Sequence, residues 1–294
     1  MSAEQIGKVE AQVRGYLSIF NKGAYKETLE QLDTLVQLWK RLHSRIHSNA
    51  EDRRHFVETF NAIKTCAMRE EFLTGHKTTV GAADIFDSID NVFSRLTQTD
   101  KSLEWSRLFA DIVAHTEVFA NISATKRKLN ELSKLIADTP SLEVRFYVRC
   151  FMFLLAMEGM YDEVVRCVYA YEQIISGKAI VAEELWNERI DMIKKNIHTA
   201  PKAILDIWDK GHHVRNAIAH SSFVYSDEDK KMHFVDTNPS DSADVYETSM
   251  TIDELWDLAL RIGVIENAFR DLIILLNVYT FLLTPPENQF EYTP

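Results

Sequence analysis

Glycine and proline are scarce in this chain, whose 294 residues include 9 Gly and 6 Pro. Sandwiches and barrels built of β-strands need a turn about every eight to twelve residues, and these two residues supply many of those turns. Hydrophobic residues make up 46% of the chain and charged residues 26%, as in globular proteins. The sequence therefore predicts an all-α protein with room for one large domain or two smaller ones.

Apolar side chains recur at helical spacing through the first half of the chain. Short polar links separate these runs, so we predict a series of helices that pack through their apolar faces. No motif indicates what this helical region does. The runs cover residues 9–20 and 29–42 and the segments at about 55–73, 82–96, 103–122 and 124–137.

The best candidate for a domain boundary is the segment Asp138-Thr139-Pro140-Ser141. Proline disfavours helix at the residue before it, and Ser141 is suited to cap a helix that follows. We therefore divide the chain into residues 1–139, a helical domain of unknown role, and residues 140–294.

The second domain has the pattern of a four- or five-helix bundle with a small β-hairpin before its last helix. Two short β-prone runs, Phe223–Tyr225 and Met232–Val235, flank a charged turn, and a polar loop over 237–249 follows. Thr251 and Glu254 have the spacing of a capping box ahead of the last helix. The other helices are expected at about 142–158, 162–176, 181–197 and 201–220.

The two halves differ in charge. Residues 1–139 hold 19 Lys and Arg against 19 Asp and Glu, whereas residues 140–294 hold 14 against 25 and carry the whole net charge of −11. Proteins that bind long nucleic acids without sequence preference usually present a basic face, because Lys and Arg displace counterions from the phosphates. Broad nucleic-acid binding is therefore disfavoured, while a small site that acts on one phosphodiester is compatible with this charge.

The cysteines indicate a reducing compartment, and the short apolar stretches indicate a soluble protein. Cys66, Cys150 and Cys167 form no CxxC pair, so neither a disulfide framework nor a cysteine zinc site is expected. The N-terminus lacks the apolar core of a signal peptide, and the apolar runs at 151–157 and 272–276 are too short to span a bilayer. We expect a soluble cytoplasmic protein without cofactor, metal or membrane partner.

Three other clusters have simple structural interpretations. His43, His47 and His55 lack an accompanying pattern of Asp, Glu or Cys and are expected on a charged helix face rather than around a metal. The basic run 126–128 is typical of a helix surface. The DEDKK segment at 227–231 lacks the Gly and final Glu of an EF-hand loop, so we predict a solvated hairpin turn.

One segment departs from the ordinary pattern, namely HHVRNAIAHS at 212–221. On a helix, Asn216 and His220 lie one above the other, with Arg215 about 100° around the axis from Asn216. This set suits cleavage of a phosphodiester without metal, because an imidazole transfers protons near neutral pH and a guanidinium stabilises charge on the phosphorus. Neighbouring His212 and His213 point in different directions, so at most one of them would contribute to the site. We expect them on the solvated surface.

The segment RNAIAH at 215–220 resembles the motif of the HEPN superfamily (higher eukaryotes and prokaryotes nucleotide-binding). In that motif an Arg is followed directly by a polar residue, and a His comes after four to six intervening residues. The resemblance covers roughly residues 140–283, with the motif at the end of an internal helix and a long helix after the hairpin. Arg41 to His47 and Arg69 to His76 have similar spacing but lack an amide after the Arg and small residues between.

Many HEPN proteins are metal-independent endoribonucleases that dimerise so that two motifs face each other across a shared cleft, often in toxin–antitoxin or antiviral defence systems. The resemblance therefore implies an RNA substrate, a homodimer and an antitoxin or other defence protein as a possible partner. It assigns Arg215 to contact with the phosphate, Asn216 to its positioning and His220 to acid–base catalysis.

Two functions stay open at this point. The first is the ribonuclease, and the second is a catalytically inactive HEPN-like module in which the three side chains form a structural cluster and the protein docks a protein or RNA. The acidic charge of residues 140–294 favours the second, whereas the intact Arg215, Asn216 and His220 favour the first. A nucleotidyltransferase-like enzyme is disfavoured because no Gly-Ser with a following Asp-x-Asp pair appears.

Overall fold

The computed structural model describes residues 26–48, 50–63, 67–99, 101–115, 117–198, 202–237 and 245–283, and a few positions between 4 and 14. Most of these residues are helical, and three strands form a small antiparallel sheet. Cys66, Pro201 and most of the run at 9–20 lie outside the described residues, as do the side chains of His43 and His47.

The helices of the first half follow one another closely along the chain. They are α1 (Lys26–Ser48), α2 (Ala50–Ile63), α3 (Arg69–Gly75), α4 (Ala82–Gln98), α5 (Ser102–His115) and α6 (Val118–Ala137).

The second half begins with a series of helices, continues with three consecutive strands and ends with one long helix. They are α7 (Leu142–Ala156), a π-helical turn (Met157–Tyr161), α8 (Asp162–Ile175), α9 (Ala182–Asn187), α10 (Ile190–Lys195), α11 (Lys202–Ala219), β1 (Phe223–Ser226), β2 (Lys231–Thr237), β3 (Val245–Met250) and α12 (Ile252–Leu283).

The segment expected as a helix at about 55–73 contributes to α2 and α3, and residues 64–66 between them lie outside the described residues. The helix expected at 181–197 is interrupted and forms α9 and α10. Arg166 explains this break, because its Nη1 donates to the carbonyl oxygens of Leu185 (2.7 Å) and Glu188 (2.8 Å). Carbonyls at the end of α9 have no helical partner, and the guanidinium satisfies them instead. The turn that separates α9 from α10 is thereby fixed.

The predicted helix starts at Ser141 and Thr251 are confirmed. The Ser141 Oγ accepts the backbone N–H of Val144 at 3.3 Å. The Thr251 N–H donates to Oε2 of Glu254 at 2.8 Å, and the Glu254 N–H donates to Oγ1 of Thr251 at 3.2 Å. These bonds satisfy N–H groups that a helix leaves unpaired in its first turn.

The chain divides into two compact units. One comprises Met1–Thr78, Ile89–Ala114 and Ala268–Pro294, and the other comprises Thr79–Ser88 and His115–Asn267. Helix α6 thus belongs to the second unit with the later helices. Helix α12 contributes its first part to the second unit and its last part to the first. The linear division into 1–139 and 140–294 stays a prediction.

The first unit has an aromatic core with buried polar bonds. Trp105 is fully buried, and its ring lies 6.1 Å from that of Phe93 and 6.2 Å from that of Phe109. The Ser106 Oγ donates to Oδ1 of Asn277 at 3.1 Å. Most buried polar groups in proteins are paired in this way. None of the described helices in either unit is long and apolar enough to cross a membrane.

The second unit contains the sheet, whose strand order is β1-β2-β3. The predicted hairpin is confirmed as β1 and β2, with its charged turn exposed. The expectation of a polar loop over 237–249 is wrong for Thr237, which ends β2, and for residues 245–249, because β3 pairs with β2 in a register that sets Met250 opposite Met232. Residues 238–244 of that expected loop lie outside the described residues. Val245, Tyr246 and Met250 are the hydrophobic residues among the six of β3, and they do not alternate regularly with polar ones. This strand is held by pairing with β2, a contact between distant residues that local pattern does not reveal.

One face of the sheet packs against α11. Met232 and Phe234 of β2 and Met250 of β3 are buried. Because side chains alternate along a strand, Asp236 and Tyr246 lie on this same face. The sheet therefore brings a carboxylate and a phenol to the helix that carries the HHVRNAIAHS segment.

Candidate functional site

The end of α11 fixes the position of His220. The N–H of Ser222 donates to the carbonyl oxygen of Ala217 (2.7 Å) and that of Ser221 to Ile218 (3.1 Å), which is the bonding pattern of a Schellman motif. Ser221 adopts the left-handed conformation, with φ of 57°. His220 is therefore the C-cap residue of α11, and its side chain is exposed.

Arg215 and Asn216 are bonded to each other one turn before this cap. The Arg215 Nη1 donates to Oδ1 of Asn216 at 3.1 Å, and its Nη2 donates to Oε1 of Glu158 at 2.8 Å. The side chains of Arg215 and Glu158 are 36% and 46% exposed. The guanidinium of Arg215 is thus bonded to the amide of Asn216 through Nη1 and to the accessible carboxylate of Glu158 through Nη2.

Asp236 joins this group from the sheet. Its Oδ2 accepts from Nδ2 of Asn216 at 3.2 Å and lies 2.7 Å from Nδ1 of His213. A continuous network thus runs from Glu158 through Arg215 and Asn216 to Asp236 and His213. Three of its members come from α11, one from the π-helical turn and one from β2.

The expectation that His212 and His213 lie on the solvated surface is wrong. Both are half-buried within a series of rings. The His212 ring stacks on that of Trp208, with 5.3 Å between ring centroids, and lies 3.7 Å from the His213 ring. The His213 ring in turn stacks on that of Tyr246 at 4.0 Å. Tyr246 of the sheet covers His213 and shields it in part from water, and the side chain of His213 stays 28% exposed.

A cavity of about 260 Å³ adjoins Arg215 and Asn216. It is smaller than the pockets of roughly 300–1,000 Å³ that hold drug-sized ligands, so it suits a group the size of a single nucleotide or less. His220 is not among its lining residues. The lining comprises Met157, Asp162, Arg189, Ile190, Asp191, Trp208, His212, Arg215 and Asn216.

The π-helical turn shapes one wall of this cavity. It begins at Met157 and ends immediately before Asp162, and both of these side chains line the cavity. A Cβ at Gly159 would collide with Oγ1 of Thr125 and lie 3.1 Å from the Thr125 Cβ, so glycine permits this close approach to α6. Single π-helical turns within α-helices often occur at functional sites.

Asp162 is the most strongly perturbed carboxyl of the site. Burial raises the pKa of Asp162 to about 7, against the opposing attraction of Arg215 and Arg166. A carboxyl with this pKa is partly protonated at neutral pH and can donate a hydrogen bond into the cavity. Its sequence context, a charged residue at a helix start, gives no sign of this role.

The structure thus brings Arg215 and Asn216 together and sets His220 one turn beyond them on the same helix. Sequence reasoning missed Glu158, Asp162, Asp236 and the cavity. A signal for Asp236 was present, because it continues the alternation of Met232 and Phe234 and is the polar member of a buried face.

The other candidate groups lie in ordinary structural settings. Cys150 and Cys167 are buried, and burial raises the pKa of Cys150 to about 12, which disfavours the reactive thiolate. Lys126 forms an ion pair with Glu266 and donates to Asn267 at 3.0 Å. Among the described side chains, no group of three His, Cys, Asp or Glu residues is placed to hold a metal ion.

A search for similar proteins leaves the site to be interpreted from its own geometry. The chain matches no family model, no curated protein and no solved structure.

Proposed function

We propose that the chain is a metal-independent endoribonuclease of the HEPN type, with Arg215, Asn216 and His220 as its catalytic residues. The observation that carries this proposal is that Arg215 and Asn216 are bonded together beside a cavity and that His220 caps the same helix with an exposed imidazole. The three groups are those that cleavage through the ribose 2′-OH requires.

The reaction needs no metal, because protein side chains stabilise the negative charge that develops on the phosphorane and transfer the proton. The 2′-oxygen attacks the adjacent phosphorus and loses its proton, and the bond from phosphorus to the 5′-oxygen breaks. Arg215 stabilises the added negative charge on the phosphorane, Asn216 orients the phosphate, and His220 transfers a proton. The products are a 2′,3′-cyclic phosphate and a 5′-OH.

The active form is a homodimer, as the HEPN resemblance implies, and an exposed apolar stripe on α7 supports this assembly. Val144 and Phe151 are 44% and 58% exposed, and half-buried Val148 and Leu155 lie between and beyond them at helical spacing. Glu158, the partner of Arg215, follows one turn later. A second copy seated on this stripe would place its own motif near the first. Such an enzyme fits a toxin–antitoxin or antiviral defence system, with an inhibitory partner protein.

A second candidate is a catalytically inactive HEPN-like module that binds protein or RNA. The observation that favours it is the network itself, because Glu158 pairs with Arg215, and Asp236 accepts from Asn216. A guanidinium and an amide satisfied by protein carboxylates are less available to phosphate. The net negative charge of residues 140–294 points the same way.

Three variants separate the two candidates. His220→Ala is expected to lower the cleavage rate by about 10² to 10⁴ with little change in melting temperature, because the imidazole is exposed and contributes little packing. Arg215→Ala should lose a comparable factor, and Arg215→Lys should recover part of it, since an ammonium lacks the planar fork.

His233→Ala is the matched control, because His233 is an exposed histidine paired with Asp229 on the hairpin. It should cleave RNA like the unmodified chain. Strongly destabilised Arg215 and His220 variants of a chain that does not cleave RNA would support the inactive module instead.

A further inference from the structure

We propose that His213, oriented by Asp236, is a second proton-transfer group of the site and takes the proton of the ribose 2′-OH. This assignment rests on the proposed ribonuclease function and divides the acid–base work between His213 and His220. It follows from the hydrogen bonding, ring packing and helical position of His213.

The hydrogen bond to Asp236 determines which ring nitrogen of His213 carries the proton. A carboxylate oxygen accepts, so Nδ1, which lies 2.7 Å from Oδ2 of Asp236, is the donor. In the neutral ring Nε2 is then the unprotonated nitrogen, which is the form that a general base needs. Within the part of the chain that the structure describes, this Nε2 makes no hydrogen bond, and the side chain is 28% exposed.

Two neighbouring rings hold the ring of His213. It stacks on Tyr246 at 4.0 Å with an interplanar angle of 11°, and the His212 ring lies 3.7 Å away at an angle of 40°. Among the described residues, the titratable groups in contact with His213 are Asp236 on β2, Tyr246 on β3 and His212 on α11. A base held at one tautomer and one orientation reaches its proton without reorganisation.

His213 lies on the same helical stripe as two of the three predicted catalytic residues, Asn216 and His220. His213, Asn216 and His220 are at positions i, i+3 and i+7 of α11, so they share a face, and the two histidines are separated by about 10 Å along the axis. Asn216 lies between them and binds the same Oδ2 of Asp236 as His213 does. A phosphate that binds Asn216 on this face would thus lie between the two imidazoles along the helix axis, and Arg215 would reach it from the side through its bond to Asn216.

This arrangement balances the reaction. His213 Nε2 takes the 2′-OH proton as the bond from the 2′-oxygen to phosphorus forms. Protonated His220 gives its proton to the 5′-oxygen as the bond from that oxygen to phosphorus breaks. Asp236 is a positioning residue, because it fixes the tautomer of His213 and stabilises the imidazolium that proton transfer creates.

The test is the pH dependence of kcat/KM for RNA cleavage by the unmodified chain and by His213→Asn. Asparagine keeps an amide nitrogen near Nδ1 for the bond to Asp236 and removes the base. We expect a bell-shaped profile for the unmodified chain and, for His213→Asn, a fall of about 10² to 10⁴ with loss of the acidic limb. His213→Gln should behave in the same way, and His233→Asn should keep the full profile.

A measurement without RNA makes the outcome independent of catalysis. Nitrogen-15 NMR of the imidazoles should show the neutral His213 ring protonated at Nδ1, and Asp236→Ala should abolish this fixed tautomer. A ring protonated at Nε2 in the unmodified chain would overturn the assignment, as would an active His213→Asn with an unchanged acidic limb. Absence of cleavage by the unmodified chain would instead overturn the proposed ribonuclease and this role with it.

Discussion

Nη2 of Arg215 lies 2.8 Å from Oε1 of Glu158, and both side chains are accessible to solvent. A phosphate that binds Arg215 must therefore compete with this carboxylate. Exposed ion pairs contribute little stability, about 0–1 kcal/mol, so the pair is easily opened. We infer that Glu158 lowers the affinity of the site for RNA.

Glu158→Gln should lower KM for RNA cleavage and leave the melting temperature nearly unchanged. Removing one carboxylate beside the phosphate site should also strengthen the salt dependence of binding to single-stranded RNA. The slope of log K against log salt concentration should become more negative by up to about 0.7. Glu143→Gln is the control, because it changes the net charge equally at an exposed glutamate near the start of α7. Equal effects of the two substitutions would show that general charge, and not competition for Arg215, sets the affinity.

Asp162 should make the folded state less stable as the pH rises. Burial raises the pKa of Asp162 to about 7, whereas an unfolded aspartate has a pKa of about 3.9. Between these values the folded chain binds a proton that the unfolded chain does not, so the free energy of unfolding falls as the pH rises from about 4 to about 7. The loss is at most about 4 kcal/mol, because one pKa unit corresponds to about 1.4 kcal/mol.

Denaturant unfolding of Asp162→Asn beside the unmodified chain measures this effect. The variant should gain stability relative to the unmodified chain as the pH is raised from 4 to about 7, the range set by the two pKa values of Asp162. Asp191→Asn, at a more exposed carboxylate of the same cavity, should not show this gain. A pH-independent difference between Asp162→Asn and the unmodified chain would contradict the buried, partly protonated carboxyl.

Two glycines near the cavity should respond oppositely to alanine. Gly159→Ala should destabilise the chain, because its Cβ would overlap Thr125, which is 7% exposed and has little room to move. In α11 a Cβ at Gly211 would meet Met157 and Phe153 at an ordinary 3.5 Å, so Gly211→Ala should gain up to about 1 kcal/mol of helix propensity. Thermal melts decide, and a Gly159→Ala variant as stable as Gly211→Ala would refute the packing argument for the π-helical turn.

The apolar stripe on α7 predicts the oligomeric state. Light scattering at micromolar concentration should give about twice the chain mass of 33.9 kDa, and Phe151→Glu should give the monomer with loss of RNA cleavage. Val80→Glu is the control, since Val80 is 86% exposed in a turn outside the stripe. A monomeric unmodified chain, with and without RNA, would contradict the dimer.

Local sequence pattern predicted the helix that carries the candidate site and the caps that begin its neighbours. The HHVRNAIAHS segment lies on α11, and Ser141 and Thr251 cap α7 and α12. These features depend on residues a few positions apart. The spacing and chemistry of the nearby side chains are enough to determine them.

The partners of the site were not predictable in the same way. Asp236 reaches Asn216 and His213 because β2 folds back on α11, and β3 brings Tyr246 only by pairing with β2. The π-helical turn depends on whether Gly159 fits against Thr125, a contact between separate helices. Such contacts depend on tertiary packing. They explain why His213 is half-buried, although the local sequence pattern predicted a solvated position.

Incubation of the purified chain with end-labelled single-stranded RNA in EDTA decides whether the chain is a metal-independent ribonuclease. We expect cleavage that leaves a 2′,3′-cyclic phosphate or 3′-phosphate and a 5′-OH, because the 2′-oxygen attacks the phosphorus and no metal takes part. DNA of the same sequence, which lacks the 2′-OH, should stay intact. Activity that disappears in EDTA and returns with Mg²⁺, or products with a 5′-phosphate, would contradict it.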